Sequence, residues 1–138
     1  MRIGIVIGKF HEILAMEMLH AAETEALKLG AKVTQVVWVP GSLEAPIAAK
    51  RLLKTKKFDA LVVLGYIERG ETLHGEVMGH AVTQALIGLQ LEHGIPMGLG
   101  IIGPGATMAQ ANARKAGVAQ RAVRSAVEMA GNVSRRKR

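Results

Sequence analysis

Residues 65–76, GYIERGETLHGE, join an apolar run to a helical pattern and decide the fold of this chain. The run Leu61–Leu64 is typical of a buried strand, and apolar residues recur at helical spacing from His74 onwards. The charged residues between them predict a polar loop. In an open parallel sheet, ligands bind at the loops after the strands, and the N–H groups that begin a helix favour an anion. A histidine in that first turn is therefore a candidate for proton transfer.

Strands and helices alternate outward from this segment. Strands are predicted over residues 2–8, 32–39, 58–67 and 95–102. Helices are predicted over residues 13–29, 44–53, 74–93 and 107–132, with a break near Gly117 left open. The order predicts a flavodoxin-like three-layer α/β/α sandwich with a four-stranded parallel sheet, order 2-1-3-4. The loops after the first and third strands would then meet at the ligand site.

The composition predicts one domain over residues 1–132 and a basic tail over residues 133–138. The chain has 138 residues, of which 49% are hydrophobic, enough for a single core. Four positive charges of the net +7 lie in the terminal SRRKR, so the body is only weakly basic. With 3% aromatic residues there is little to stack on bases, and nucleic acid is not an expected partner.

The sequence shows neither a membrane-spanning run nor a secretory pattern. No apolar run reaches the roughly 18 residues that a membrane span needs, and the first residues enter a strand without a secretory pattern. The chain has no cysteine, which excludes disulfides. These features lead us to expect a cytoplasmic protein without a membrane partner.

Two suggestive patterns do not hold. Gly98–Gly103 matches GxGxxG, but it lies in a predicted strand before Pro104, whereas a dinucleotide site needs these glycines in the turn that opens a helix. His74 has no second histidine four residues on, so no metal site is expected.

Two charged residues each allow two interpretations when their sequence neighbourhood is considered alone. Arg114 is either a solvated helix cation or a bidentate phosphate clamp. Glu44 either hydrogen-bonds a polyol or complements a helix dipole.

Three segments together resemble the lumazine synthase family, in particular its archaeal branch: VPGSLEAP (39–46), GYIERGETLH (65–74) and GIIGPGATMAQANAR (100–114). The resemblance extends from Ile3 to about Met129. It implies a cofactor-independent, metal-independent transferase that makes 6,7-dimethyl-8-ribityllumazine in riboflavin biosynthesis. The substrates would be 5-amino-6-(D-ribitylamino)uracil and 3,4-dihydroxy-2-butanone 4-phosphate, with phosphate and water released.

The resemblance also implies roles for individual residues. His74 would transfer protons, and Phe10 would stack on the pyrimidine. The ring and ribityl chain would be held by the loop residues Ser42, Leu43 and Glu44. The substrate pocket would be lined by Tyr66, Ile67 and Glu68 at the end of the third strand. The phosphate would be bound by Glu71, Thr72 and Arg114. Leu99 would be lent to the site by a neighbouring subunit.

Some positions depart from the family pattern. His11 stands where most members have Asn, Glu68 where an apolar residue is usual, and Leu99 where Phe is common. Lys115 is the candidate for the lysine that contacts phosphate in the family. These changes concern substrate affinity more than reaction type.

The last expectations concern the oligomeric state of the protein and the alternatives to the lumazine synthase function. The resemblance implies a cyclic homopentamer with each site between two subunits, and leaves open whether twelve pentamers form an icosahedral capsid of sixty subunits. The alternatives are an archaeal-type riboflavin synthase, a non-catalytic flavin or lumazine binder on the same fold, or a shell-forming protein. A nucleic-acid-binding role for SRRKR is a further class.

Overall fold

The computed structural model describes the backbone of residues 1–136 and the side chains through Asn132. Within these residues, strands and helices alternate along the chain. The strands are β1 (Arg2–Gly8), β2 (Lys32–Val39), β3 (Ala60–Glu68) and β4 (Met97–Ala106). The helices are α1 (Glu12–Lys28), α2 (Ala45–Lys54), α3 (His74–His93) and α4 (Met108–Arg136), and a 3₁₀ turn, Ser42–Glu44, precedes α2.

The predicted sheet is confirmed. All neighbouring strands are parallel, and their order is β2-β1-β3-β4. One core cluster lies between the sheet and the α1/α4 layer and includes Ile3 and Ile5, while the other lies under α2 and α3 and includes Val6 and Leu61. Because both faces are covered, the inner strands are apolar almost throughout rather than alternating with polar residues.

Helix α4 and strand β4 differ from the prediction. The break near Gly117 is absent, because buried side chains such as Ala111 and Val123 fix the helix on both sides of it. One glycine costs a helix only about 1 kcal/mol. The helix also continues past residue 132 to Arg136, while residues 137–138 of the predicted tail lie outside the described part. Strand β4 runs through the glycines at 103 and 105 and pairs Ala106 with Glu68 after a register shift.

Helix α3 is covered less than its sequence pattern suggests. Val82 and Leu86 are buried against the sheet, but Val77 and Ala81, which the pattern assigns to the same face, are exposed. The apolar surface of α3 is therefore wider than the area that the sheet covers. Part of it remains available to another surface.

Glycine sets the distance between β4 and α4. A Cβ atom on Gly98 would collide with the backbone carbonyl of Ala122, and one on Gly100 would crowd the Ala122 side chain. The helix backbone therefore lies directly against the strand. By contrast, a Cβ on the exposed Gly117 meets no atom within 4 Å.

We expect Gly98→Ala to lower the free energy of unfolding by at least about 2 kcal/mol, because strand and helix would have to separate. Gly117→Ala is the matched control and should raise it by roughly 0.5–1 kcal/mol, since alanine favours the helix. Denaturant unfolding at one protein concentration measures both changes. An equal effect of the two substitutions would contradict the close contact.

Candidate active site

A cavity of about 480 Å³ opens at the carboxyl ends of β1, β2 and β3. This is where an open parallel sheet binds ligands, and the loops after the first and third strands meet there as predicted. Its wall is formed by the loops that follow the three strands and by the first turns of α3. The lining residues are Phe10, Pro40, Gly41, Ser42, Leu43, Glu44, Tyr66, Ile67, Glu68, Arg69, Gly70, Thr72, His74, Gly75 and Met78.

The floor of the cavity depends on one close contact, between Gly65 and Ser42. Ser42 is buried, and a Cβ on Gly65 would come within 3.0 Å of its hydroxyl oxygen. The absence of a side chain at Gly65 thus lets the 3₁₀ turn after β2 lie across β3. This contact brings Leu43 and Glu44 to the same opening as the end of β3.

The loop between β3 and α3 is held at both ends by hydrogen bonds. The backbone N–H of Arg69 donates to the Ala106 carbonyl at 2.9 Å, and the backbone N–H of His74 donates to the Thr72 hydroxyl at 3.3 Å. The first N–H groups of a helix lack partners within the helix and favour negative charge. The His74 side chain therefore stands exposed at the cavity beside a surface that suits an anion.

Two aromatic residues, Phe10 and Tyr66, line the same cavity. The Phe10 ring is 54% exposed and faces the imidazole of His11 edge-on, with ring centroids 4.4 Å apart. The His11 ring lies 5.2 Å from that of Tyr66, and His11 Nε2 is 2.8 Å from Glu68 Oε2. The Tyr66 hydroxyl donates to the Ala106 carbonyl at 2.9 Å. Burial raises the pKa of Tyr66, and the carboxylate of Glu68 raises it further.

The structure brings most of the predicted site residues to this one cavity. The residues that line it are Phe10, Ser42, Leu43, Glu44, Tyr66, Ile67, Glu68, Thr72 and His74. Glu71 faces a smaller depression on the other side of the same loop, together with Pro104 and Gly105. Leu99 is partly buried in β4 and packs under the α2/α3 layer.

Arg114 lies apart from the cavity within one chain. It lines a surface depression with Gln110 and Val118, and its guanidinium donates to the Gln110 carbonyl at 3.3 Å. Lys115, the other candidate for phosphate, pairs instead with Glu17 of α1 and contacts Asn112. Among the side chains that the structure describes, no arginine of α4 lies at the cavity of its own chain.

Some lining residues were not among the sequence candidates. Arg69 adds a cation to the cavity wall, and its place in the charged loop was a signal that could have singled it out. Met78 lies one turn after His74 and so shares its side of α3. The contact between His11 and Glu68 joins residues that are 57 positions apart, for which the sequence holds no local signal.

Comparison with known proteins identifies the family. The sequence matches the family model of 6,7-dimethyl-8-ribityllumazine synthase over residues 1–134. The chain belongs to the lumazine synthase family.

Archaeal lumazine synthases are among its relatives. The chain is 41% identical over 128 residues to 6,7-dimethyl-8-ribityllumazine synthase of Staphylothermus marinus, covering 93% of this chain and 85% of that relative. It is 43% identical over 129 residues to that of Metallosphaera sedula, with 94% and 85% covered. For Aeropyrum pernix the identity is 42% over 130 residues, with 94% and 88% covered. The resemblance to the archaeal branch is thereby confirmed.

Two further findings concern the described residues as a whole. No described helix is both long and apolar enough to cross a membrane. No group of three or more His, Cys, Asp or Glu side chains in the described part of this lumazine synthase family member is arranged to hold a metal ion.

Tyr66 provides a test of the cavity's electrostatics, because it is the only tyrosine in the sequence. We expect its pKa to lie above the ordinary value of about 10 and Glu68→Gln to lower it part of the way, since burial is the larger cause. The raised pKa means that the folded state holds this proton more tightly. Its contribution to stability is therefore present below about pH 10 and is lost as pH rises through the folded value.

Tyrosinate absorbance measured against pH in the folded protein reports this titration. Glu92→Gln on α3, outside the cavity, is the control for removing a carboxylate and should leave the midpoint unchanged. If the midpoint of the Tyr66 titration is the same in Glu68→Gln as in the wild type, the carboxylate of Glu68 does not raise this pKa.

Proposed function

We propose that this chain condenses 5-amino-6-(D-ribitylamino)uracil with 3,4-dihydroxy-2-butanone 4-phosphate to give 6,7-dimethyl-8-ribityllumazine, phosphate and water. Membership of the lumazine synthase family carries this proposal. The cavity supports it, because one opening combines an exposed aromatic ring, hydrogen-bonding groups, an anion-favouring helix start and a histidine. This reaction is the penultimate step of riboflavin biosynthesis.

Proton transfer is the first requirement of such a condensation. The primary amine attacks the ketone and water leaves to form an imine. Phosphate is then eliminated, and the ribitylamino nitrogen attacks the carbonyl that results and closes the ring with loss of a second water. Each step moves a proton, and a single imidazole can give and accept protons near neutral pH. We assign this role to His74, whose side chain is exposed at the cavity.

Holding the two substrates together is the second requirement. Correct placement alone can supply much of the acceleration of a two-substrate reaction. The ring and ribityl chain would lie between Phe10 and the Ser42–Glu44 turn, over Tyr66 and Ile67. Phosphate would lie near Thr72 and Glu71 at the start of α3, where backbone N–H groups favour its charge.

Arg114 and Leu99 reach a site most simply in a neighbouring subunit. Neither lines the cavity of its own chain. Exposed apolar side chains, including Val77 at 66% and Leu91 at 81% exposure, give α3 a surface suited to a subunit contact. We therefore propose a cyclic homopentamer in which Arg114 binds the phosphate held by the adjacent subunit. Head-to-tail contacts close such a ring.

Larger assembly and location are separate proposals. Twelve pentamers could close into a capsid of sixty subunits, and light scattering at assay concentration distinguishes that particle from a free pentamer. A cytoplasmic location is supported by the absence of cysteine from the sequence. No observation favours a non-catalytic flavin or lumazine binder over the enzyme.

The direct test of function is to mix both substrates with the protein and follow the absorbance and fluorescence of the lumazine. Product formation that depends on both substrates supports the proposal. Conversion of added lumazine to riboflavin would instead indicate a riboflavin synthase, and tight lumazine binding without turnover would indicate the binder.

We expect His74→Ala to lower turnover by about tenfold to a thousandfold, because general acid–base catalysis is lost while substrate placement remains. Steady-state kinetics and a melting curve measure turnover and fold. His20→Ala on exposed α1 is the control for the loss of a histidine. Undiminished turnover in a folded His74→Ala protein would disprove the assignment.

We expect Arg114→Ala to raise KM selectively for the butanone phosphate, by roughly tenfold or more, since a charge-assisted hydrogen bond is worth about 1.5–3 kcal/mol. Arg114→Lys should recover little, because ammonium cannot form the planar pair. If subunits share sites, coexpressing the His74→Ala and Arg114→Ala chains should restore about a quarter of the sites in a randomly mixed ring.

The two variant proteins purified separately and mixed without subunit exchange are the control for this complementation. Light scattering establishes the oligomeric state at the same concentration. An active monomer, or coexpressed chains no more active than the separate proteins, would contradict the shared site.

A further inference from the structure

The loop that carries Phe10 has few internal restraints. It consists of residues 9–11, between the end of β1 and the start of α1. The Phe10 ring is more than half exposed, so burial does not fix it, and α1 begins without a side-chain cap. The loop backbone is tied at its first and last residues, where the Lys9 N–H donates to the Val39 carbonyl at 2.9 Å and the His11 carbonyl accepts from the Ala15 N–H at 3.0 Å. Neither bond involves a side chain, so a further contact must hold the Phe10 ring at the cavity.

His11 adopts a backbone conformation that needs support. Its φ of 58° and ψ of 69° lie in the left-handed region, which few residues other than glycine occupy. Asn, Asp and His are enriched there among the exceptions. A conformation of this kind persists when surrounding contacts fix it. The family's usual Asn at this position would tolerate the same backbone.

The fixing contact is a hydrogen bond to the central strand. His11 Nε2 lies 2.8 Å from Glu68 Oε2, and because a carboxylate only accepts, Nε2 donates. The His11 and Glu68 side chains are 26% and 40% exposed, so the pair is shielded on one side but not buried. The bond joins the end of β1 to the end of β3 across the cavity rim.

The rings add a second restraint in the same direction. The centroid of the His11 ring is 4.4 Å from that of Phe10 and 5.2 Å from that of Tyr66, so the His11 ring is close to both. Tyr66 is itself buried, and its hydroxyl is bonded to the Ala106 carbonyl. His11 thus connects Phe10 to two residues of β3, Tyr66 and Glu68.

We infer that His11 is a positioning residue whose hydrogen bond to Glu68 fixes the Phe10 ring at the cavity and so sets the affinity for the planar pyrimidine. This inference rests on the proposed function for the identity of the substrate. The role of Glu68 is then to hold His11 rather than to bind substrate independently.

Three variants separate this role from general loss of structure. His11→Asn keeps a residue that tolerates the left-handed backbone but is too short to reach Glu68, and Glu68→Ala removes the acceptor. Each should raise KM for the pyrimidine by about three- to tenfold, as expected for a partly exposed charged hydrogen bond. Turnover and KM for the butanone phosphate should change little. The double variant should be no worse than either single one, because both remove the same bond.

Conservative and control variants sharpen the measurement. Glu68→Gln keeps an oxygen that can accept from Nε2 and should recover most of the affinity lost in Glu68→Ala. Glu92→Ala removes the carboxylate of another Glu–His neighbour pair, with His93 at 3.9 Å, at the far end of α3. It should leave all kinetic constants unchanged. Effects that multiply in the double variant would overturn the inference, since Glu68 would then contact the substrate by itself.

Hydrogen exchange in the free protein tests the contact apart from the reaction. The amides of residues 10–14 should exchange faster in His11→Asn and in Glu68→Ala, at unchanged melting temperature. Unchanged exchange, or equal loss of affinity for both substrates, would overturn the inference even if the wild type makes lumazine. If the wild type makes none, the proposed function fails, while the exchange rates still decide whether the contact holds the loop.

Discussion

Burial of strand β3 on both faces is the constraint on which the site depends. Its side chains are buried from Ala60 through Ile67, and Glu68 is the first to reach solvent. A strand enclosed by β1, β4 and two helix layers has a fixed direction and register, so the point where it emerges is fixed as well. Tyr66 and Ile67 become the cavity floor and Glu68 its rim. The loop that follows starts from a rigid origin, and this determines where His74 stands.

The charges around the cavity support the proposal that the site for a phosphorylated substrate is shared between subunits. Glu44 and Glu68 bring two carboxylates, while Arg69 is the cation that accompanies His74 in the lining. Helix-start N–H groups help an anion but supply only partial charge. An additional arginine would therefore improve phosphate binding, and Arg114 is directed along its own helix instead. The charges at the cavity and the uncovered surface of α3 thus both support the proposal that an adjacent subunit completes the site.

The sequence predicted those parts of the structure that follow from local pattern. Periodicity located every described strand and α-helix. Thr107 and Gln110 make the reciprocal hydrogen bonds of a capping box at the start of α4, at 2.9 and 3.2 Å. Features that depend on packing were missed. Helix α4 continues through Gly117 because buried alanines and valines hold it on both sides. Helix α3 stays partly uncovered because its apolar surface is wider than the part that packs on the sheet. The position of Arg114 follows from how α4 packs, which no local motif encodes.

Two departures from the family pattern, His11 and Glu68, are explained by the contact between them. A carboxylate at the rim, where an apolar residue is usual, loses part of its hydration and needs a donor. An imidazole in place of Asn keeps the left-handed backbone and extends far enough to provide that donor. Each change therefore offsets the cost of the other, and either one alone would leave a polar group without its partner at the cavity. Nothing in the structure explains Leu99 in the same way. The coupling of His11 and Glu68 is accordingly a property of the pair, and replacing both with the usual residues should be tolerated better than replacing His11 alone.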